Sequence, residues 1–281
     1  MNKNLNYLIV GLGLMGGSVG KMLSSKGFNV YGYDINQDSI NYGYQNGLIK
    51  INQIDDQLIK DADVIILGLY PAIMVTWIKE HKHLFKKNVL VTDLTGIKGN
   101  IVPSIQNELR RIGEFISLHP MCGKETSGVQ YSNTEMFKQA NLIIVPTENN
   151  TQKSIDFARD FGEDLEINNI EILSIKEHDK MISFLSQLPH VIAVALMYSH
   201  VCDSLVRYTG VSFRDLTRIA KINPYLWSEL FIMNKDNLIN DIDEFINMME
   251  QLKVAINNED ISTLHKLFKE SKKRRENFDK K

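Results

Sequence analysis

The sequence predicts an α/β chain: a doubly wound, largely parallel sheet in the N-terminal part, then a part made of helices alone. Three observations predict it. The apolar run Tyr7, Leu8, Ile9, Val10 breaks into Gly11-x-Gly13-x-x-Gly16 and passes into a helix-like segment. Apolar runs of strand length then alternate with helical segments as far as residue 173, the pattern of βαβ units on a parallel sheet. From Ser174 onward no convincing strand appears, and apolar residues recur at helical spacing.

Between a strand and a helix, this glycine pattern is the fingerprint of a dinucleotide site, and the sheet is expected to be of Rossmann type. Gly11 permits a tight turn, Gly13 leaves no side chain between backbone and pyrophosphate, and Gly16 lets the helix pack closely on the sheet. Leu12, Leu14 and Met15 complete the loop, and the N–H groups of the helix start face the phosphates. A lone glycine pattern is weak, so its second half matters. The next apolar run, 29–34, ends in Asp34, 18 residues after Gly16. An acid there accepts hydrogen bonds from ribose hydroxyls and repels a 2′-phosphate, so NAD is expected over NADP. The bland alternative, a Gly-rich turn and an exposed strand-end acid, leaves the agreement of spacing, strand and acid unexplained.

Further strands are expected at 64–69, 88–92, 115–118, 141–145 and 170–173, with helices at 38–46, 72–84, 100–111 and 151–161. Pro103 falls in the first turn of its helix, where proline is tolerated. Ser174 and Glu177 have the spacing of a capping box. Residues 174–207 read as mostly helical and apolar, with Pro189 an expected kink or break. Helices follow at 212–219, 225–233 and 241–256. In the last, Ile242, Phe245, Ile246, Met249, Leu252 and Ile256 share one face. The chain is thus expected to comprise an NAD-binding domain, 1–173, and a helical substrate-binding domain, 174–281. The helical part carries more apolar surface than a thin layer can hide, so it is also expected to form a homodimer.

Composition narrows the function. A length of 281 residues fits one large or two ordinary domains, and 43% hydrophobic with 23% charged residues is ordinary for a soluble globular protein. A net charge of −2 gives no reason to expect nucleic acid as partner, and Lys272 to Arg275 read as a solvated helix end. Cys122 and Cys202 form no disulfide framework and show no metal spacing, so no metal and a reducing, cytoplasmic setting are expected. The first six residues are too polar for a signal peptide. Residues 181–202 lack Asp, Glu, Lys and Arg and are long enough to span a membrane. They also contain Gln187, Pro189, His190 and His200, costly in lipid, so they read as a helix buried inside protein and no membrane partner is expected.

In a doubly wound sheet, ligands sit outside the carboxyl ends of the strands. His119 follows one strand and precedes Pro120, where an imidazole can take a proton near neutral pH. A structural histidine capping the strand end is the competing reading. Arg214 and Arg218 are four apart on a helix, and a guanidinium there can grip a carboxylate with two prongs; a surface arginine paired with an acid is the alternative. His190 lies in the apolar segment just after Pro189, as a core histidine or as part of a functional bend.

Four motifs in order now carry a resemblance: Gly11 to Ser18 (GLGLMGGS), His119 to Gly128 (HPMCGKETSG), Leu188 to His190 (LPH) and Phe213 to Ala220 (FRDLTRIA). The chain resembles the prephenate/arogenate dehydrogenase family. The resemblance implies NAD-dependent oxidative decarboxylation of prephenate to 4-hydroxyphenylpyruvate in tyrosine biosynthesis, by a dimer joined through its helical part. It implies that His119 bonds the ring hydroxyl and assists proton removal, Arg218 binds a substrate carboxylate, and His190 orients substrate. Glu125 would be a gating or polar-network acid and Asp179 a supporting acid. The family has Gly-Ser in the loop after the 88–92 strand; here Gly96 stands in the serine's place with Thr95 before it. Either Thr95 supplies the hydroxyl from a shifted loop, or that contact is absent. Gly210, Val211 and Ser212 replace a more glycine-rich run. The alternatives are arogenate as substrate, a 3-hydroxyacid-type dehydrogenase, and an NAD-binding sensor without turnover. The last would need an effector module, for which no basic recognition helix is visible.

Overall fold

The apolar runs become one seven-stranded sheet in a computed structural model that describes residues 1–123, 125–200 and 203–279. The end of the apolar segment at 201–202, with Cys202, lies outside the described residues. The strands are β1 (Asn6–Val10), β2 (Asn29–Tyr33), β3 (Val64–Leu67), β4 (Val89–Asp93), β5 (Gly113–Pro120), β6 (Asn141–Val145) and β7 (Asn169–Ile172). Their order is β2-β1-β3-β4-β5-β6-β7. Every neighbouring pair is parallel except β5 with β6. Because β1 lies between β2 and β3, the chain winds away from it in both directions and leaves a crevice at its carboxyl end. The glycine loop opens there.

Alternation along the strands feeds two cores. Tyr7 and Ile9 of β1, with Val64 and Ile66 of β3, face one; Leu8 and Val10, with Ile65 and Leu67, face the other. Between the strands run α1 (Leu14–Ser25), α2 (Gln37–Gln45), α3 (Asp56–Asp61), α4 (Pro71–His81), α5 (Ile101–Leu109) and α6 (Gln152–Asp164). Helices α1, α2 and α6 cover the first face through residues such as Leu23, Ile40 and Phe161; α3, α4 and α5 cover the second through Ile59, Ile78 and Ile105. Each fully buried side chain of this kind contributes about 1.5–3 kcal/mol. Helix α3 was not expected from the sequence, and β5 is longer than its expected 115–118. The extension is the stretch that pairs with β6, so His119 sits within a ladder, opposite Ile143, rather than in a loop.

After β7 the described chain is helical: α7 (Ile175–Ile182), α8 (Leu188–Tyr198), α9 (Val211–Thr217), α10 (Pro224–Met233), α11 (Lys235–Asn257) and α12 (Ile261–Glu276). The capping box at Ser174 and Glu177 is formed and sets the start of α7. The regular α-helix is interrupted just before Pro189, where a break was expected. The proline occupies the first turn of α8, and the residues before it, Ser183–Gln187, are wound as a π-helix. A wider turn removes the need for the hydrogen bond that proline cannot donate. The expectation that this segment is buried inside protein needs correction for the single chain: 28% of the most apolar window of Ile175–Tyr198 is buried, and Phe184 and Tyr198 are exposed. Helix α11 starts six residues ahead of its expected 241, just after Asn234, whose amide is tied to Gln187 and the Asp179 carbonyl. By packing, the chain divides into two units, Met1–Lys235 and Asp236–Lys281; α7 to α10 belong to the first.

Candidate active site

The glycine loop is shaped by backbone proximity. Gly11 has φ +91°, a conformation side-chain-bearing residues avoid, and a Cβ there would come within 2.7 Å of the Gly68 carbonyl oxygen. A Cβ on Gly16 would lie 2.0 Å from the Gly11 oxygen, so no other residue lets α1 approach the loop this closely. A Cβ on Gly13, by contrast, would meet nothing within 4 Å. Gly13 is also the N-cap of α1 and offers no side-chain acceptor, so first-turn N–H groups stay available to an anion. Open space over an uncapped helix start fits a pyrophosphate. Asp34, just past β2, accepts from the Leu12 N–H at 2.6 Å and the Asn36 N–H at 2.8 Å. Its carboxylate is thereby fixed beside the loop, with lone pairs left for ribose hydroxyls.

Further along the sheet, β4 and β5 deliver a buried polar cluster. Asp93, the last residue of β4, pairs with Lys98 at 2.8 Å, both fully buried. Asp93 also accepts from the Ser117 hydroxyl and the Leu118 N–H, and Lys98 donates to the Leu118 carbonyl. Burial lowers the Lys98 pKa while Asp93 pulls it back up; four satisfied contacts around the pair favour the ionised form. These bonds staple the β4–α5 loop to β5 beside His119. Half-buried His119 places its Nδ1 2.9 Å from His178 Nε2, and His178 Nδ1 lies 2.7 Å from Asp179 Oδ1. Asp179 in turn accepts from the Lys98 and Gly99 N–H groups at 3.0 and 2.7 Å. On the other side of the ring, a Cβ at Gly96 would lie 3.5 Å from His119 Nε2. Desolvation, then His178 and Lys98, hold His119 well below the ordinary histidine range. Thr95 Oγ1 is buried with no hydrogen-bond partner among the described residues.

A second cluster gathers the helical residues. Arg218 opens a 3-10 turn after α9 and forms an ion pair with Glu125, from the loop after β5. His190 on α8 stacks on Trp227 of α10, ring centroids 3.6 Å apart, and its Nδ1 donates to the Ser186 carbonyl. Burial lowers its pKa, while the Ser186 carbonyl and the Glu125 charge raise it and the Arg218 charge lowers it. Helix α10 joins the clusters: a Cβ built on Gly96 would lie 3.9 Å from Leu230, one turn beyond Trp227. Two expected residues turn elsewhere. Arg214, inside α9, donates to the carbonyl and hydroxyl of Thr209, while Arg218 opens the 3-10 turn that follows. Asp179 faces His178 and the β4–α5 loop, six per cent exposed. The sequence reading missed His178, Asp93, Lys98 and Trp227. The formed capping box, which aims the first turn of α7 inward, was the one available signal for His178.

Two family models cover most of the chain: the prephenate dehydrogenase nucleotide-binding domain matches residues 19–170, and the prephenate dehydrogenase dimerization domain matches 174–270. The chain belongs to the prephenate dehydrogenase family. Within this family, a crystal structure of prephenate dehydrogenase from Aquifex aeolicus, in complex with hydroxyphenyl propionate and NAD+, is 31% identical. It superposes with a TM-score of 0.89, covering 98% of each chain. The prephenate dehydrogenase of Bacillus subtilis is 26% identical over 279 residues, 94% of this chain and 74% of that one. The cyclohexadienyl dehydrogenase of Zymomonas mobilis is 29% identical over 232 residues, 80% of this chain and 78% of that one. The prephenate dehydrogenase fold, a Rossmann-like sheet followed by helices, is the one described above.

Proposed function

We propose that this chain oxidatively decarboxylates prephenate to 4-hydroxyphenylpyruvate with NAD, as a cytoplasmic enzyme of tyrosine biosynthesis, dimeric through its helical part. One observation carries the reading: the His119 imidazole has its Nδ1 engaged by His178 behind it and its Nε2 on the side of Gly96, where no side chain stands between the ring and the loop. The glycine loop, Gly11 to Gly16, and Asp34 would hold the cofactor, which supplies a hydride acceptor when bound. The relatives carry names of prephenate and cyclohexadienyl dehydrogenases, which supports this substrate class.

The reaction asks three things of the protein, and each has a residue. The carbinol C–H bond breaks with its electron pair leaving as hydride, while the hydroxyl proton passes to His119 Nε2. Loss of carbon dioxide returns an electron pair to the ring, which becomes a phenolate and takes the proton back. Buried Thr95 Oγ1, beside Gly96, supplies a hydroxyl to the same oxygen. Arg218 takes a substrate carboxylate in place of Glu125, which otherwise neutralises it. His190, held flat on Trp227, orients the substrate through its free Nε2. Arg214 and Asp179 act a step back, by holding the Thr209 loop and the imidazole pair.

NADH absorbance with prephenate or arogenate, and with NAD or NADP, tests this. The wild type is expected to form NADH from prephenate and NAD. His119→Asn should keep NAD binding and lose roughly 10²-fold or more in turnover. No NADH from prephenate, or undiminished turnover in the variant, overturns the reading; turnover of arogenate alone reassigns the substrate.

A further inference from the structure

Behind His119 runs a chain of hydrogen bonds whose direction can be worked out. Asp179 accepts two backbone N–H groups, from Lys98 and Gly99, which favours the ionised carboxylate. An ionised carboxylate only accepts, so the 2.7 Å contact from His178 Nδ1 is an N–H donated to it. A neutral His178 then has a bare Nε2. That atom lies 2.9 Å from His119 Nδ1, which must therefore carry the proton between them. His119 is left with a bare Nε2, the nitrogen nearest Gly96.

We propose that Asp179 and His178 are positioning residues: together they hold His119 in its Nδ1–H tautomer, so that Nε2 is the base that takes the substrate proton. The second clause rests on the proposed function; the first does not. When Nε2 gains the substrate proton, the Nδ1–H bond to His178 is kept and the ring does not turn. A satisfied core pair would need no such ordering. Here the chain starts at a carboxylate fixed by the loop that bears Gly96, and ends on the ring atom opposite the open side. Asp179 contacts the His178 ring, and the charges of Asp93 and Lys98 act on the pair from nearby. The last two are paired with each other and do not reset the tautomer.

The test uses the full chain with 15N-labelled histidine. Long-range 1H–15N correlations report the tautomer of His119 without any substrate. The wild type is expected to show a protonated Nδ1 and a bare Nε2. His178→Phe removes the acceptor and should shift His119 toward the other tautomer, with kcat down about 10²-fold and NAD affinity unchanged. His178→Gln can donate its amide to Asp179 and accept from His119, and should restore the tautomer and most of kcat. A wild-type His119 found protonated on Nε2 overturns the proposal, whether or not any variant folds. So does a folded His178→Phe with tautomer and turnover unchanged, or a Gln variant as impaired as Phe. A wild type with the expected tautomer that converts neither prephenate nor arogenate sinks the proposed function and still supports the tautomer claim.

Discussion

At neutral pH the His119 ring must be uncharged to act as base, and its surroundings ensure it. Desolvation, His178 and Lys98 all press its pKa well below 6.5. A depressed pKa means the base is free above that value and lost as pH falls through it. The acidic limb of kcat/KM against pH is therefore expected below 6.5, with full activity at neutrality. A limb centred at or above that value means the titrating base is another group. Arg218 is more exposed and acts on binding. Removing one charge-assisted pair costs about 1.5–3 kcal/mol, so Arg218→Ala should raise the KM for prephenate roughly 10- to 100-fold and leave NAD affinity alone. An equal loss of both affinities marks a structural arginine. His119 was legible in the sequence because it ends an apolar strand and precedes a proline. His178 was not, because the residue that gives it meaning is 59 positions away and no local pattern links them.

The element that couples fold to cofactor is the β1 loop with α1, and two of its glycines separate packing from binding. Gly16→Ala would drive a methyl to 2.0 Å from the Gly11 oxygen. Backbone on both sides cannot yield cheaply, so a loss of about 1–3 kcal/mol or more in stability is expected, together with weaker NAD binding. At Gly13 an added methyl meets nothing within 4 Å. Gly13→Ala should leave the denaturation midpoint almost unchanged and still weaken NAD binding, because the methyl fills the space meant for phosphate. Denaturant melts and NAD titrations read the two effects apart; a Gly13→Ala protein with wild-type NAD affinity denies the loop its proposed role. All seven strands were legible: β1, β3, β4 and β6 are buried on both faces and leave near-continuous apolar runs, while β2 alternates and the mostly exposed β7 shows only as Ile170 and Ile172 after a helix. Helix α3 was not. Its six residues show one buried side chain, Ile59, and one residue makes no period. The π-helical turn before Pro189 was equally hidden, because the sequence announces that a proline strains a helix but not how the backbone relieves it.

Over the whole molecule, apolar surface is left without cover. Among the six residues expected on one face of α11, Ile246, Met249 and Ile256 are more than half exposed, and Phe184, Met197 and Tyr198 are open on the helix Ile175–Tyr198. Water against that much hydrocarbon is unfavourable, and a membrane is a poor answer for α11, whose opposite side carries Asp243, Glu244 and Glu250. A second copy of α11 is the economical cover for that helix, since one self-complementary face serves both subunits of a two-fold dimer. The match of residues 174–270 to a dimerization domain supports it. Periodicity in the sequence made the apolar face of α11 visible, whereas the apolar helix Ile175–Tyr198, expected to be buried inside protein, is only 28% buried over its most apolar window in the single chain. Sedimentation of the wild type is expected at twice the mass of one chain. Ile246→Asp with Met249→Asp places two charges on the face to be desolvated and should shift the protein toward monomer, with NAD binding kept because the glycine loop belongs to the other packing unit. A wild type that sediments as a monomer at micromolar concentration, or a doubly charged variant that stays dimeric, assigns that face to something other than self-association.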